Sequence, residues 1–531
     1  MIATAAMAFA ACKSGDKPPR PANEPAGDPN TPVRGGHIKL PSNEPRFTNP
    51  LLETRFDVAN GLIFEGLVGV DAKLEPVGRL AESWTLSDDG KTLTFKLRSG
   101  AVWQDGQKVT AQDVAFTFDA VKNTTAATVW KGYMTPVVKL ETPDDATVIA
   151  TYAQAYAPAV MTWTMPILPK HIYGKGDLAT STGNTEPVGS GPFRLARWEP
   201  GKRMLLEAND KWWYGRPNLD SIELIFGIND GAMLDALRHG QIDWAPIKDV
   251  SDWVNVAQAG DFRGDYEQSD VLESRIRLIA WNTQRAPLDD KRVRQALTLA
   301  LDRRRVIDDV LLGQAQSLSA PFFPTMFGAD PSIAPWPFDL AKAKAILDQV
   351  TPLKDGKRFT INMIAIESQR GAVSDASLGI FRHDLESLGI DLKLTLLPAR
   401  DYFDRVAKHD FDADYFGWLP DIPDPDPYAL LHSSQIAAGP NYAGFTNAEV
   451  DKLLDQARGA TSRDARRQLY AKIHAIVAEE LPYTPLYAPL GHYAWSRRLR
   501  GVNPRDLGPQ VLFPGVARWW AVQRPAPRGT P

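Results

Sequence analysis

Leu93-Thr94-Phe95-Lys96-Leu97, running on through Arg98-Ser99-Gly100 and Trp103-Gln104-Asp105-Gly106 to Val109, is the most telling segment of the chain. Leu93, Phe95 and Leu97 alternate with Thr94 and Lys96, and this period of two predicts a half-buried strand entered through a tight turn at Asp88-Asp89-Gly90. After Asp105-Gly106 the period changes. Thr110 with Asp113 three residues later is a capping box, and Val114, Phe118 and Val121 then share one helical face, so a helix should end near Asn123. The same reading extends outward. Asp289 or Asp290 can cap a helix bearing Val293, Ala296, Leu297 and Ala300, and a second helix with Val306, Val310 and Leu311 should stop at Gly313. Thr446 and Glu449 form another capping box before Val450, Leu453, Leu454 and Ala457, with Gly459 as the stop, and a last long helix carries Ala465, Leu469, Ile473 and Val477. Strand candidates at Phe359 to Ile366 and Leu392 to Leu397 lie among these helices, so the expected class is α/β with more than one lobe.

Size and composition agree with that class. The 531 residues exceed what one hydrophobic core organises, roughly 250 to 300 residues, so two or three domains are expected. With 44% hydrophobic and 23% charged residues, global disorder, collagen repeats and coiled coils are excluded. The 60 basic and 64 acidic residues leave a net charge of −4, which gives no bulk attraction to nucleic acid or an anionic membrane. No apolar run reaches the ~18 residues of a membrane span. The single cysteine, Cys12, permits no internal disulfide and no Cys-based zinc or iron–sulfur site.

Catalytic signatures are missing: no Gly-x-Ser-x-Gly elbow, no His-Glu-x-x-His, no phosphate loop and no dinucleotide fingerprint. Asp89-Gly90-Lys91-Thr92 leads into a strand and reads as a turn. In Gly189-Ser190-Gly191-Pro192, the proline removes a backbone donor that a phosphate would need. The eight histidines contain no i, i+4 ligand pair, and a lone histidine is ordinarily structural; His432 is the one to watch. No cofactor and no metal are expected. The most informative polar stretch is Phe416-Gly417-Trp418-Leu419-Pro420-Asp421-Ile422-Pro423-Asp424-Pro425-Asp426-Pro427, where four prolines stiffen a loop that presents three carboxylates and a tryptophan. Its spacing and prolines disfavour a calcium loop. It reads either as a solvated acidic loop or as the place where one carboxylate meets a ligand cation beside an apolar wall.

Phe9-Ala10-Ala11-Cys12, ending a short apolar stretch from Met1, resembles a bacterial lipoprotein signal, which implies acylation of Cys12 and anchoring without a membrane span. Residues 13–34 contain six prolines among polar residues and form an extended tether; residues 524–531 form a loose Pro-rich tail.

Four separated segments make the chain similar to the dipeptide and oligopeptide receptors of ABC importers, the extracytoplasmic solute-binding proteins of family 5. They are Leu62-Ile63-Phe64-Glu65-Gly66-Leu67-Val68 with Leu80 to Trp84 and Leu93 to Val109; Pro187 to Phe193 running to Trp212-Trp213; Trp281-Asn282-Thr283 with Pro287, Asp290 and Val293 to Ala296; and Trp418 to Asp426. The resemblance implies a two-lobed periplasmic-binding-protein-like fold of the peptide-binding type (class II), with an extra subdomain inserted in the first lobe. Lobe I would comprise 35–66, 190–266 and 495–523, the insert 67–189, and lobe II 267–494. It further implies non-catalytic capture of a short peptide by a monomer in the periplasm or at the cell surface, and delivery to a membrane permease with its ATPase. Asp421, three residues after Trp418, would pair with the ligand α-ammonium, and Arg370 would face its carboxylate. The same scaffold also serves receptors for nickel chelates, sugars, haem or opine-like compounds. A hydrolase, which needs a nucleophile and an oriented base, and a structural envelope lipoprotein are the readings from other classes. Cys12→Ser is expected to abolish incorporation of radiolabelled palmitate; equal labelling of both proteins would remove the anchor.

Overall fold

The computed structural model describes residues 31–52, 57–124, 128–420, 423–508 and 512–522. The expected signal 1–12, nearly all of the tether and the tail 524–531 lie outside them. The strand expected around Leu93 spans Thr92–Leu97, with Leu93, Phe95 and Leu97 buried. It sits in an antiparallel sheet ordered Ala81–Leu86, Thr92–Leu97, Thr147–Tyr152, Val137–Asp144. The capping box is made: the Thr110 backbone N–H donates to Asp113 Oδ2 at 2.9 Å, and the helix runs Ala111–Asn123. A second sheet holds His37–Pro41 parallel to Ser221–Ile225, followed by Arg203–Ala208 and Phe193–Glu199 antiparallel. One apolar core, containing Ile38, Phe95, Trp103, Trp163 and Trp519, is shared by both sheets, so the inserted part is welded to the first lobe.

An eight-stranded sheet runs from the first lobe into the second. Its main order is Trp244–Pro246, Tyr483–Ser496, Ile276–Trp281, Ala413–Trp418, Phe359–Ile366, Ile390–Leu397, and Tyr266–Leu272 and Ala315–Gln316 also pair with Tyr483–Ser496. The central strand Ile276–Trp281 is buried on both faces, which explains its nearly unbroken apolar run. Ile276, Leu278 and Ala280 enter one core with helices Ala448–Gly459 and Arg463–Glu480. Ile279 and Trp281 enter another with Lys291–Ala300, Leu340–Val350 and Ala372–Glu386. Asp290 caps the first of these, its side chain accepting from Arg292 N.

Two expected helix details differ. The cap of Ala448–Gly459 is Asn447, not Thr446: the Asn447 Oδ1 accepts from both Glu449 N and Val450 N at 3.1 Å, because an Asn one residue nearer the helix reaches the same free donors. The helix expected around Val306 is a short turn Arg303–Arg305 followed by a widened turn Val306–Val310, capped from Asp302 and released near Gly313 at φ +78°.

The two helices under the second core also bury His474. Its Nδ1 accepts the Asp330 backbone N–H at 3.0 Å, so Nε2 carries the proton donated to Ser319 Oγ at 2.8 Å, and the ring stacks on Phe322 with centroids 4.6 Å apart. A ring in that tautomer cannot take a proton from Ser319, so the pair is structural. Burial pushes the His474 pKa down to about 4 from the ordinary 6.5, against the opposing pull of Asp330. The neutral ring is thus the folded form; its contribution is complete above pH 6.5 and is lost as pH falls toward 4. His474→Gln is expected to flatten the loss of stability across that window in urea unfolding at stepped pH. Parallel profiles for the two proteins would exclude His474 as the source.

Candidate interlobe binding cleft

The chain passes between the lobes along two neighbouring paths, through Tyr266–Leu272 into Ile276–Trp281 and back along Tyr483–Ser496. Tyr266–Leu272 pairs with residues 490–496 on the first-lobe side, and Arg277 to Ala280 pairs with residues 483–487 on the other. Around these paths lies a cleft of about 690 Å³, within the size range of small-ligand sites. Its first-lobe wall includes Pro41, Val58, Trp244 and Lys248; the crossing strands supply Leu272, Glu273, Arg275 and Arg277; Tyr487, Val373 and Leu419 close it from the second lobe.

Aromatic and charged groups divide this surface. Trp244 stacks on Tyr493 with ring centroids 5.4 Å apart, and His492 stacks on Trp253 at 4.8 Å. Trp244 Nε1 and His492 Nε2 are buried and have no hydrogen-bond partner among the described residues. Among the charges, Lys248 pairs with Asp230 at 2.9 Å, Arg275 with Glu273 at 3.5 Å, and His492 Nδ1 with Asp270 at 2.9 Å. Arg505 donates to the Leu272 carbonyl at 3.2 Å. Arg277 has Gln369 Oε1 and the Tyr415 ring for neighbours.

The loop after Ala413–Trp418 is fixed from its far end. Asp424 accepts Arg466 Nη2 at 2.6 Å and Nη1 at 3.0 Å, a bidentate pair in which both residues are 7% exposed. Asp426 Oδ2 accepts Arg458 Nε at 2.7 Å, and that guanidinium stands 3.4 Å from the Tyr428 ring centre. Asp424 Oδ1 also takes the Asp426 N–H at 3.0 Å. Two of the three carboxylates in this stretch are therefore committed to holding it in place.

Of the residues expected at the site, Trp418 ends its strand half-buried, opposite Ile276, and packs on the second core. Leu419, the next residue, reaches the cleft. Asp421 and Cys12 lie outside the described residues. Arg370 is largely exposed, 3.7 Å from Asp375 and outside the cleft lining, while its neighbour Gln369 touches Arg277. His432 stacks on Tyr428 at 4.1 Å and bonds Ser434 Oγ at 2.8 Å. The sequence reading missed Arg277, Glu273 and Arg505. Arg277 did leave a signal, as the one charge inside the apolar run Ile276–Trp281.

The two-lobed frame with a ligand-sized cleft at its crossing strands defines a solute receptor that traps its ligand between lobes. The chain belongs to the bacterial extracellular solute-binding proteins of family 5, whose profile (Bacterial extracellular solute-binding proteins, family 5 Middle) matches residues 75–438. This is a family of binding receptors. The chain is similar to the oligopeptide-binding protein AppA of Bacillus subtilis, 29% identical across 97% of this chain and 96% of that protein. The structure of AppA in complex with a nonapeptide superposes with a TM-score of 0.76, covering 93% of this chain and 100% of that one. Heme-binding protein A of Haemophilus influenzae is 29% identical over 83% of each chain. The fold is also shared with Helicobacter pylori DppA in complex with the peptide STSA, at 23% identity and a TM-score of 0.76 over 92% of this chain and 98% of that one.

Arg466→Ala would leave Asp424 buried without its partner, and the expected loss is about 3 to 5 kcal/mol of stability. Urea unfolding measures it; a loss below about 1 kcal/mol, the range of an exposed pair, would show that the loop is not anchored there.

Proposed function

We propose that this chain is the capturing component of an ABC importer: it closes two lobes around a short peptide and hands the peptide to a membrane permease driven by a separate ATPase. The observation that carries the reading is the cleft itself, with stacked aromatic walls and charges of both signs along the crossing strands. Apolar walls favour uncharged ligand surface, and the fixed charges beside them orient it. The relative bound to a nonapeptide across the same fold supports a peptide over other solutes.

Lobe I comprises 35–66, 190–266 and 495–523, the insert 67–189, and lobe II 267–494. Asp421 takes the ligand α-ammonium. Asp424 and Asp426 are already neutralised by arginines, and Leu419, two residues before Asp421, is in the cleft wall. Trp418 gives that end an apolar side, and Arg370 reaches the ligand carboxylate as the lobes close. The receptor is a monomer held at the bacterial envelope by acylated Cys12. Asp421→Ala is expected to weaken free-amine peptides by about 2 to 5 kcal/mol, the cost of removing one partner of a desolvated ion pair, and to leave N-acetylated versions of the same peptides unchanged. Calorimetry on peptides that co-purify with the protein, identified by mass spectrometry, measures both; equal affinities in the two proteins would remove Asp421 from the site.

A further inference from the structure

Asp88-Asp89-Gly90 is a hairpin turn, a place ordinarily open to water, yet Gly90 is buried. Part of what covers it belongs to the other lobe. A Cβ at Gly90, which is held at φ +67°, would stand 3.1 Å from Thr461 Cγ2 and 2.9 Å from Ala155 Cβ, so the bare glycine lets the turn between helices Ala448–Gly459 and Arg463–Glu480 press against the hairpin. Three further contacts ring this spot. The Ala157 N–H donates to the Arg458 carbonyl at 2.6 Å, the Arg458 guanidinium lies 5.7 Å from the Tyr156 ring centre, and Arg463 pairs with Glu75.

Glu75 is carried on a second rigid tip. Asp71 Oδ1 accepts the backbone N–H groups of Lys73 at 2.8 Å and Glu75 at 2.9 Å, and Leu74 between them is held at φ +61°, a left-handed conformation that leucine rarely adopts. In that conformation Leu74 packs on both sides of the interlobe gap: against Val70, Met161 and Leu512, and against the core that holds Ile276 and Tyr470. We propose that these contacts form an interlobe catch, in which a socket made by Glu75, Gly90, Tyr156 and Ala157 receives the turn 458–463 and sets how long the closed receptor keeps a captured solute. Because Arg458 also holds Asp426, engaging the catch fixes the loop after Trp418 in the same movement. Glu75, Gly90, Thr461 and Arg463 lie outside the cleft lining. The catch therefore changes the retention of every ligand by one factor, whereas a residue that reads the ligand changes some and not others. The inference rests on capture between the lobes and not on the solute being a peptide.

The test uses the full-length protein and two readouts: small-angle scattering without added ligand, and the rate at which a bound pool of isotope-labelled tripeptides with free termini is chased by unlabelled ones, followed by mass spectrometry. Glu75→Arg sets two like charges against each other. It is expected to enlarge the radius of gyration and to speed release of every peptide in the pool about fivefold, the upper range for a half-exposed ion pair. Combining Glu75→Arg with Arg463→Glu restores the attraction and is expected to return both readouts to wild type. Thr461→Trp, a wedge on an exposed turn, is expected to separate the lobes without the charge change. Wild-type scattering and release in both Glu75→Arg and Thr461→Trp overturn the catch, and so does a change in Glu75→Arg that the exchanged pair fails to reverse. Faster release of some peptides and not others assigns these residues to ligand reading and overturns it as well. If wild type retains no peptide, the peptide reading falls alone, and the scattering of the same variants still decides the catch.

Discussion

The strand Tyr483–Ser496 is the constraint on which the molecule turns. Its 14 residues extend roughly 45 Å at strand rise, long enough to serve both lobes. Its first half pairs with Ile276–Trp281, its second half with Tyr266–Leu272, and Trp244–Pro246 joins it from the outer side. A continuous strand transmits position along its length, yet the partner path leaves the ladder between Leu272 and Ile276, where Glu273, Ser274 and Arg275 line the cleft and Glu273 N alone still donates to the long strand, at the Pro489 carbonyl, 3.2 Å. Backbone hydrogen bonds to this one strand therefore join the two lobes on either side of the interruption. The cleft lies around that interruption.

A second connection joins the lobes away from these strands. Ala157 N donates to the Arg458 carbonyl at 2.6 Å, Arg463 pairs with Glu75, and the Arg458 guanidinium lies 5.7 Å from the Tyr156 ring centre. Glu75, Tyr156 and Ala157 come from the inserted part, and the arginines from the helix pair behind the acidic loop. Because Arg458 also holds Asp426, the loop that follows Trp418 is tied to both lobes. The ion pairs at Asp424 and Asp426 hold its far end before any ligand arrives, which lowers the ordering entropy that opposes binding. Shifting the lobes apart must strain or break the Arg458 contacts, and loop position and lobe separation are mechanically one variable.

What the sequence revealed follows from what its recognisable segments do. Glu65 is buried and accepts the indole N–H groups of Trp212 at 3.2 Å and Trp213 at 2.9 Å, with burial raising its pKa against the pull of Arg79. Gln104 donates to the Phe193 carbonyl at 2.7 Å and accepts from Gly189 N at 3.0 Å, and a Cβ at Gly189 would fall 1.9 Å from the Ile63 carbonyl oxygen. Asn282 donates to the carbonyls of His409 and Phe411 at 2.9 Å. The segments that betray the family are the joints of its scaffold, each needing one residue type at one place, and so the fold was legible. The cap at Asn447 was misplaced by one residue because Thr446 offers the same chemistry, and the turn at Val306 escaped because its widened geometry has no residue signature. The cleft was least legible. Glu273 and Arg505 acquire their positions only when the crossing strands and the segment after residue 500 meet, a juxtaposition that local spacing cannot encode.

That division has a consequence for recognition. A scaffold joint tolerates almost no change, since Gly189 or Glu65 would lose packing and hydrogen bonds together. The cleft asks less of its residues. The stacked rings of Trp244 and His492 accept varied side chains without a shaped hole. Discrimination must then come from charge, where partners are few and fixed. Neutral surface sets a broad ligand class, and the ionised groups held at the cleft select within it. Such an arrangement separates the residues that hold the fold from those that meet the ligand, so one scaffold can serve more than one ligand class.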